Sequence, residues 1–214
     1  MTGPAIGKLS REGNSLLFED REDLAMSKIS KKATNDFCPQ TLFLYGTNNE
    51  DGSPDFGLFC WFSYVWDGEM GVMCCIGGEK LTRQNIEREK FFSANLVTEK
   101  MLPLADHFGN VKGEDPDKMK FKPETGRGEV LPVPILEDSP VVFELEVKEF
   151  VNLHDGEVII CKIRNVLQDE ELSDPDISSE EKLAKIAPVR TTCTEYFSYS
   201  GKSMGKWGEP RKNL

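Results

Sequence analysis

Phe143-Glu144-Leu145-Glu146-Val147-Lys148 alternates apolar and charged residues without a break. Successive side chains of a strand point to opposite faces, so this segment reads as a strand with one face in a core and the charged face in water. Half-buried strands belong to antiparallel sheets, because parallel ones are covered on both sides. Asn152-Leu153-His154-Asp155-Gly156 makes the next turn, and residues 158–163 return with Ile159, Cys161 and Ile163 on one face.

Upstream, Thr41-Leu42-Phe43-Leu44-Tyr45-Gly46-Thr47 is β-rich, and Asn48-Asn49-Glu50-Asp51-Gly52-Ser53-Pro54 is dense in turn residues. Residues 56–66 resume as strand, which predicts a hairpin. Trp66-Asp67-Gly68-Glu69 turns again into an apolar strand over 71–76, a helix follows over 79–90, and Phe91-Phe92-Ser93-Ala94-Asn95-Leu96-Val97 is another strand. Residues 98–107 suit a short helix capped by Thr98, with Glu99 in its first turn. Residues 109–140, rich in Gly, Pro, Asp and Lys, form a long excursion, functional or merely tolerated. Residues 174–186 are acidic and then helical, with Asp176, Ser178 or Ser179 as caps. A short helix is expected near 21–29. The expected organisation is an extension over 1–36, one domain over 37–207, and a tail over 208–214. The whole reads as one antiparallel, barrel-like, mainly β domain with peripheral helices.

With 214 residues the chain suffices for one domain with a real core. The net charge of −11 sets binding to a phosphate backbone against repulsion, so nucleic acid is not an expected partner. No apolar run approaches the ~18 residues of a membrane span. Residues 1–30 are broken by charges and lack a signal-peptide core, so a cytoplasmic protein with reduced thiols is expected. Without a Cys-x-x-Cys pair and with only His107 and His154 for imidazole, no zinc site is expected.

Met73-Cys74-Cys75-Ile76-Gly77-Gly78-Glu79-Lys80-Leu81-Thr82 carries the chemistry. Adjacent Cα atoms lie ~3.8 Å apart, below the ~4.4–6.8 Å that disulfides usually need, so Cys74 and Cys75 read as ordinary strand residues on opposite faces. On a wheel of about 100° per residue, Leu81 and Ile86 bracket Thr82, Asn85 and Glu89. Thr82 and Asn85 are expected to face inward and to need polar partners, whereas Glu89 reaches solvent or a nearby base. The helix follows two glycines, so its first turn offers unpaired N–H groups beside Lys80 and Thr82: an anion site, most naturally for phosphate. The alternative is that Thr82 caps its own turn and Lys80 is solvated. Neither a Walker pattern nor Gly-x-Gly-x-x-Gly is present. The aromatic run Phe59, Trp61, Phe62, Tyr64 and Trp66 suits a barrel core, a dimer seam or a flat ring ligand.

In order and spacing, these elements resemble the flavin reductase-like family, and within it the flavoredoxin-like members. The resemblance runs from Cys38-Pro39-Gln40-Thr41 and Asp51-Gly52-Ser53-Pro54-Asp55 through Phe59-Cys60-Trp61-Phe62-Ser63-Tyr64-Val65 and Lys80-x-Thr82-x-x-Asn85-Ile86. It continues through Pro140-Val141-Val142-Phe143-Glu144-Leu145 to Tyr196-Phe197-Ser198-Tyr199. It implies a Greek-key antiparallel split barrel that binds FMN non-covalently, usually as a homodimer. It also implies that Cys60, Trp61, Phe62 and Ser63 line the isoalloxazine ring, that Gly77, Gly78, Lys80 and Thr82 hold the ribityl chain and phosphate, and that Asn85 braces that turn. The activity implied is that of an oxidoreductase or electron carrier, using NADH or NADPH or a redox protein partner. Many members carry Ser or Thr in place of Cys60, and a Pro-Pro turn in place of Asp67-Gly68-Glu69. Some nicotinamide-using members carry a histidine where this chain reads Cys193-Thr194-Glu195-Tyr196-Phe197. The alternatives are a non-catalytic flavin- or ligand-binding module, a pyridoxamine phosphate oxidase-like barrel, whose arginine- and lysine-rich phosphate set is missing, and an interaction protein with an acidic surface.

Overall fold

A computed structural model describes residues 28–199. The strands are β1 (Gln40–Thr41), β2 (Phe43–Asn48), β3 (Pro54–Phe59), β4 (Phe62–Trp66), β5 (Met70–Ile76), β6 (Phe91–Leu96), β7 (Thr125–Arg127), β8 (Pro134–Leu136), β9 (Val141–Leu153), β10 (Gly156–Gln168), β11 (Arg190–Thr191) and β12 (Tyr196–Phe197). Helices α1 (Leu81–Glu89), α2 (Leu102–Asn110) and α3 (Ser179–Ile186) lie between them. Seven strands form one antiparallel sheet in the order β3-β2-β6-β9-β10-β5-β4. Among the described residues, no helix is long and apolar enough to cross a membrane. The helix expected near 21–29 and the tail over 208–214 fall almost wholly outside the described residues.

The sheet is strongly curled. β3 and β4 are its two edges, yet only Cys60 and Trp61 separate them in the chain. The three Cα steps from Phe59 to Phe62 span at most ~11 Å, so the edges are brought together without being paired, as in a split barrel. The expected single strand over 56–66 is therefore two strands. β3 pairs with β2 and β4 pairs with β5, and one straight strand cannot serve both edges.

The interior face buries Phe43, Tyr45, Val72, Cys74, Phe92, Leu145 and Ile159, and α1 adds Ile86. A second cluster (Leu42, Leu44, Phe56, Met101, Phe108, Leu136) lies under α2 and β8. β2 is covered on both faces, which is why its apolar run does not alternate. β5 does alternate at its cysteines: Cys74 is buried and Cys75 half-buried, both as free thiols.

Two expectations are corrected in detail. α2 begins after Met101 rather than at Thr98, because Thr98 stays extended in a bridge to Pro188, although its hydroxyl accepts the Met101 N–H at 3.3 Å. The excursion over 109–140 contains the end of α2 and the β7–β8 hairpin. α3 starts where expected, with Ser178 and Glu181 forming a reciprocal capping box.

The charged face of β9 departs furthest from the alternation. Glu144 is fully buried. Its carboxylate accepts the N–H groups of Glu129 (2.9 Å), Val130 (2.9 Å) and Leu131, and the Asn165 side-chain amide at 2.9 Å. A Cβ on Gly128 would stand 2.7 Å from Glu144 Oε2, so glycine lets the loop come down onto the carboxylate.

Candidate functional site

The Cys60–Trp61 joint is fastened on both sides. The Phe62 N–H donates to Cys60 O at 3.0 Å, and the Cys75 N–H donates to Trp61 O at 3.0 Å. The four residues expected to line a ring then part company. Trp61 is 49% exposed, and a Cβ on Gly77 would lie 3.7 Å from its ring. Cys60 is half-buried, with its Sγ 3.4 Å from Cys193 Sγ. Phe62 turns into the interior and stacks on Phe43 with centroids 4.2 Å apart. Ser63 lies opposite Met73 on the outer face of the sheet, where its hydroxyl donates to Tyr64 O at 3.4 Å.

The glycine turn follows. Gly78 has φ 66°, a left-handed backbone that side chains disfavour. Lys80 is the N-cap of α1 and makes no side-chain capping bond. The first helical bond runs from Gln84 N–H to Lys80 O at 3.1 Å, so the N–H groups of Leu81, Thr82 and Arg83 precede the helical ladder. Lys80 is exposed, and neither it nor the exposed Lys112 makes an ion pair among the described residues.

Thr82 and Asn85 face inward, as the wheel requires, and both are buried. The Thr82 hydroxyl donates to Asp55 Oδ2 at 3.1 Å. Asp55 Oδ1 pairs with Lys118 Nζ at 2.7 Å, and the two side chains are only 2% and 5% exposed. Asn85 donates to Thr47 Oγ1 (3.1 Å) and Asn49 Oδ1 (3.0 Å), and accepts from Arg88 at 2.8 Å. These bonds tie α1 to the β2–β3 hairpin and not to the glycine turn. α1 presses so closely on β3 that a Cβ on Gly57 would meet Thr82 Oγ1 at 2.5 Å.

A cleft of about 390 Å³ opens here, within the ~300–1,000 Å³ range of small-molecule sites. Gly57, Leu58 and Phe59 form one wall, and Glu79 to Thr82 form the second. The third comes from the excursion, through Lys112, Gly113, Glu114 and Lys118. The sequence reading gave no role to Asp55, Lys112 or Lys118. The available signal was Gly113, where a Cβ would stand 2.4 Å from Leu81 Cβ and keep the loop off α1.

Two groups beside the joint, Cys60 and Tyr196, are held above their usual range. Burial, and then the contact with Cys193, push the Cys60 thiol up to about 12. Burial, and then its bond to Asp106, push the Tyr196 phenol up to about 12, and its hydroxyl donates to Asp106 Oδ1 at 2.6 Å.

Comparisons with known proteins agree on one fold. The model described as a flavin reductase like domain matches residues 36–186. The flavoredoxin structure from Methanosarcina acetivorans superposes with a TM-score of 0.76 at 19% identity, covering 88% of this chain and 100% of that one. The flavoredoxin of Desulfovibrio vulgaris (Miyazaki F) gives 0.75 at 22% identity, covering 86% and 98%. An FMN-binding protein from Thermus thermophilus gives 0.68 at 17% identity, covering 84% and 97%. No curated protein sequence matches the chain.

Proposed function

Because this chain belongs to the flavin reductase-like family, we propose that it binds FMN in the cleft beside the Cys60–Trp61 joint and acts as an oxidoreductase or electron carrier. The cleft carries this reading. Its polar end offers the Leu81 and Thr82 N–H groups at the start of α1 with Lys80 and Lys112 close by, which suits a phosphate. Its apolar side offers Leu58 and Phe59, with the exposed face of Trp61 beyond, which suits a flat ring. The residues present therefore fit the cofactor.

Bound FMN would supply the electron chemistry, and the protein would supply binding, orientation and electrostatics. Lys80 contributes charge, and Gly77 and Gly78 allow close backbone approach. Thr82 contributes its backbone N–H, since its hydroxyl proton is committed to Asp55. The backbone of 60–63 would face the ring edge, with Trp61 packed beside it. Asn85 serves at one remove, by holding α1 against the hairpin. NADH or NADPH, or a redox protein, would be the electron source. Met73, Val151 and Leu153 leave an apolar outer face on β5 and β9 that suits a homodimer.

FMN should remain with the protein, as a yellow complex, after excess is removed by gel filtration. A colourless protein overturns the reading. Lys80→Ala should weaken FMN roughly tenfold, as expected for loss of one charge-assisted contact, and leave riboflavin nearly unchanged. Equal loss for both ligands contradicts the phosphate assignment. Anaerobic mixing with NADH and NADPH separates the two activities: bleaching of the flavin identifies a reductase, and its persistence a carrier.

A further inference from the structure

We propose that Cys60 and Cys193 form a redox-active dithiol, which small disulfides of the glutathione type oxidise reversibly to an intramolecular disulfide.

The two sulfurs lie 3.4 Å apart although 133 positions separate them in the chain. They join two separate sheets: Cys60 is in the joint between β3 and β4, and Cys193 is in the turn between β11 and β12. That turn is built rather than loose. The Cys193 N–H donates to Thr191 Oγ1 at 2.9 Å, the Thr191 hydroxyl donates to Glu195 O at 2.8 Å, and the Thr192 N–H donates to Glu195 O at 3.1 Å. Cys193 is held at φ 69°, a left-handed backbone that is costly for a residue with a Cβ. The turn accepts that strain and presents the sulfur to both solvent and Cys60.

Access sets the order of events. Cys193 is exposed, whereas Cys60 is half-buried and its thiol is raised to about 12. The Cys193 thiolate attacks one sulfur of the small disulfide, whose S–S bond breaks and releases one thiolate. Cys60 then gives up its proton to solvent, and its sulfur attacks Cys193 Sγ in the mixed disulfide. That bond breaks and the second small thiol leaves. Two protein thiols lose two electrons and two protons, and one small disulfide becomes two thiols. Excess small thiol runs the sequence backwards.

The other thiols are placed differently. Cys74 and Cys161 are buried, with Cys161 raised by its contact with Cys74 and by burial. Cys38 is exposed, with its sulfur accepting from Gln40 Nε2 at 3.3 Å, and serves as the internal control for a surface thiol.

The test uses the full chain, reduced and then equilibrated at neutral pH across a series of oxidised-to-reduced glutathione ratios. Acid quenching, alkylation and peptide mass spectrometry follow. The expected result is the loss of two alkylatable thiols with a linked Cys60–Cys193 peptide, reversed by excess reduced glutathione. Cys60→Ser should instead accumulate a glutathione adduct on Cys193, and Cys193→Ser should leave residue 60 alkylatable at every ratio. Full alkylation of both cysteines throughout, or pairing of Cys193 with Cys38, overturns the proposal. The readout counts thiols without FMN, so its failure leaves the flavin reading intact.

Discussion

Lys118→Met is expected to lower the stability of the domain by about 3–5 kcal/mol, against the about 5–15 kcal/mol that a domain usually has in total. Removing the ammonium leaves the Asp55 carboxylate buried with only the Thr82 hydroxyl to answer it. The loss comes mainly from that stranded charge and not from the net worth of the pair, because taking two ions out of water costs nearly what their attraction returns. Lys118→Met combined with Asp55→Asn should therefore recover much of the loss. Asparagine carries no charge, and its side-chain oxygen still accepts from Thr82. Urea denaturation of the four proteins measures the coupling. Strict additivity of the two single losses would show that the pair is not a unit. Lys118 also belongs to the third wall of the cleft, so Lys118→Met should bind FMN less tightly even where it remains folded.

Glu144→Gln is expected to cost roughly 3 kcal/mol at pH 7, because its amide would present donors to N–H groups that need an acceptor. Burial alone raises the carboxyl, but the three loop N–H groups and the Asn165 amide more than offset it and hold the group below the ordinary carboxylate range. A carboxyl lowered in the folded state stabilises fully above its unfolded value of ~4.3 and loses that contribution as pH falls through the folded value. The gap between the wild type and Glu144→Gln should therefore be widest near neutrality and shrink below about pH 4. Urea midpoints at pH 7, 5, 4 and 3 would show it. A gap that does not change with pH would mean that the loop is held by packing rather than by the carboxylate.

Glu144 also shows where the reading of the sequence stops. The alternation over 143–148 identified the strand and its place in an antiparallel sheet correctly, because period two is a property of the strand itself. It could not show that residues 128–131 fold over the outer face and convert a solvent position into a buried one. The helical wheel turned Thr82 and Asn85 inward for the same local reason. Their partners Asp55, Thr47 and Asn49 lie 27, 38 and 36 positions away, and periodicity carries no information at that range. The break at Cys60–Trp61 was hidden by continuous β-forming composition from Phe56 to Trp66, since only the pairing partners distinguish the two halves. Lys112 and Lys118 sit in a segment without period, where nothing local marks a residue as part of a wall.

Three of the six pairings in the large sheet, β2–β3, β4–β5 and β9–β10, join chain neighbours through short turns. The other three, β2–β6, β6–β9 and β5–β10, join distant segments; Glu157, for example, lies opposite Ile76. Hairpins close in about 1–10 μs, whereas non-local pairings must first meet the entropy of closing long loops. The chain is thus expected to fold as three early hairpins that wait for β6, the one strand of this sheet without a hairpin partner. The Cys60–Trp61 tether joins the first two hairpins end to end. Once they dock on either flank of β6, β9 and β10, the tether makes both arrivals parts of a single closure, which is the step expected to set the refolding rate.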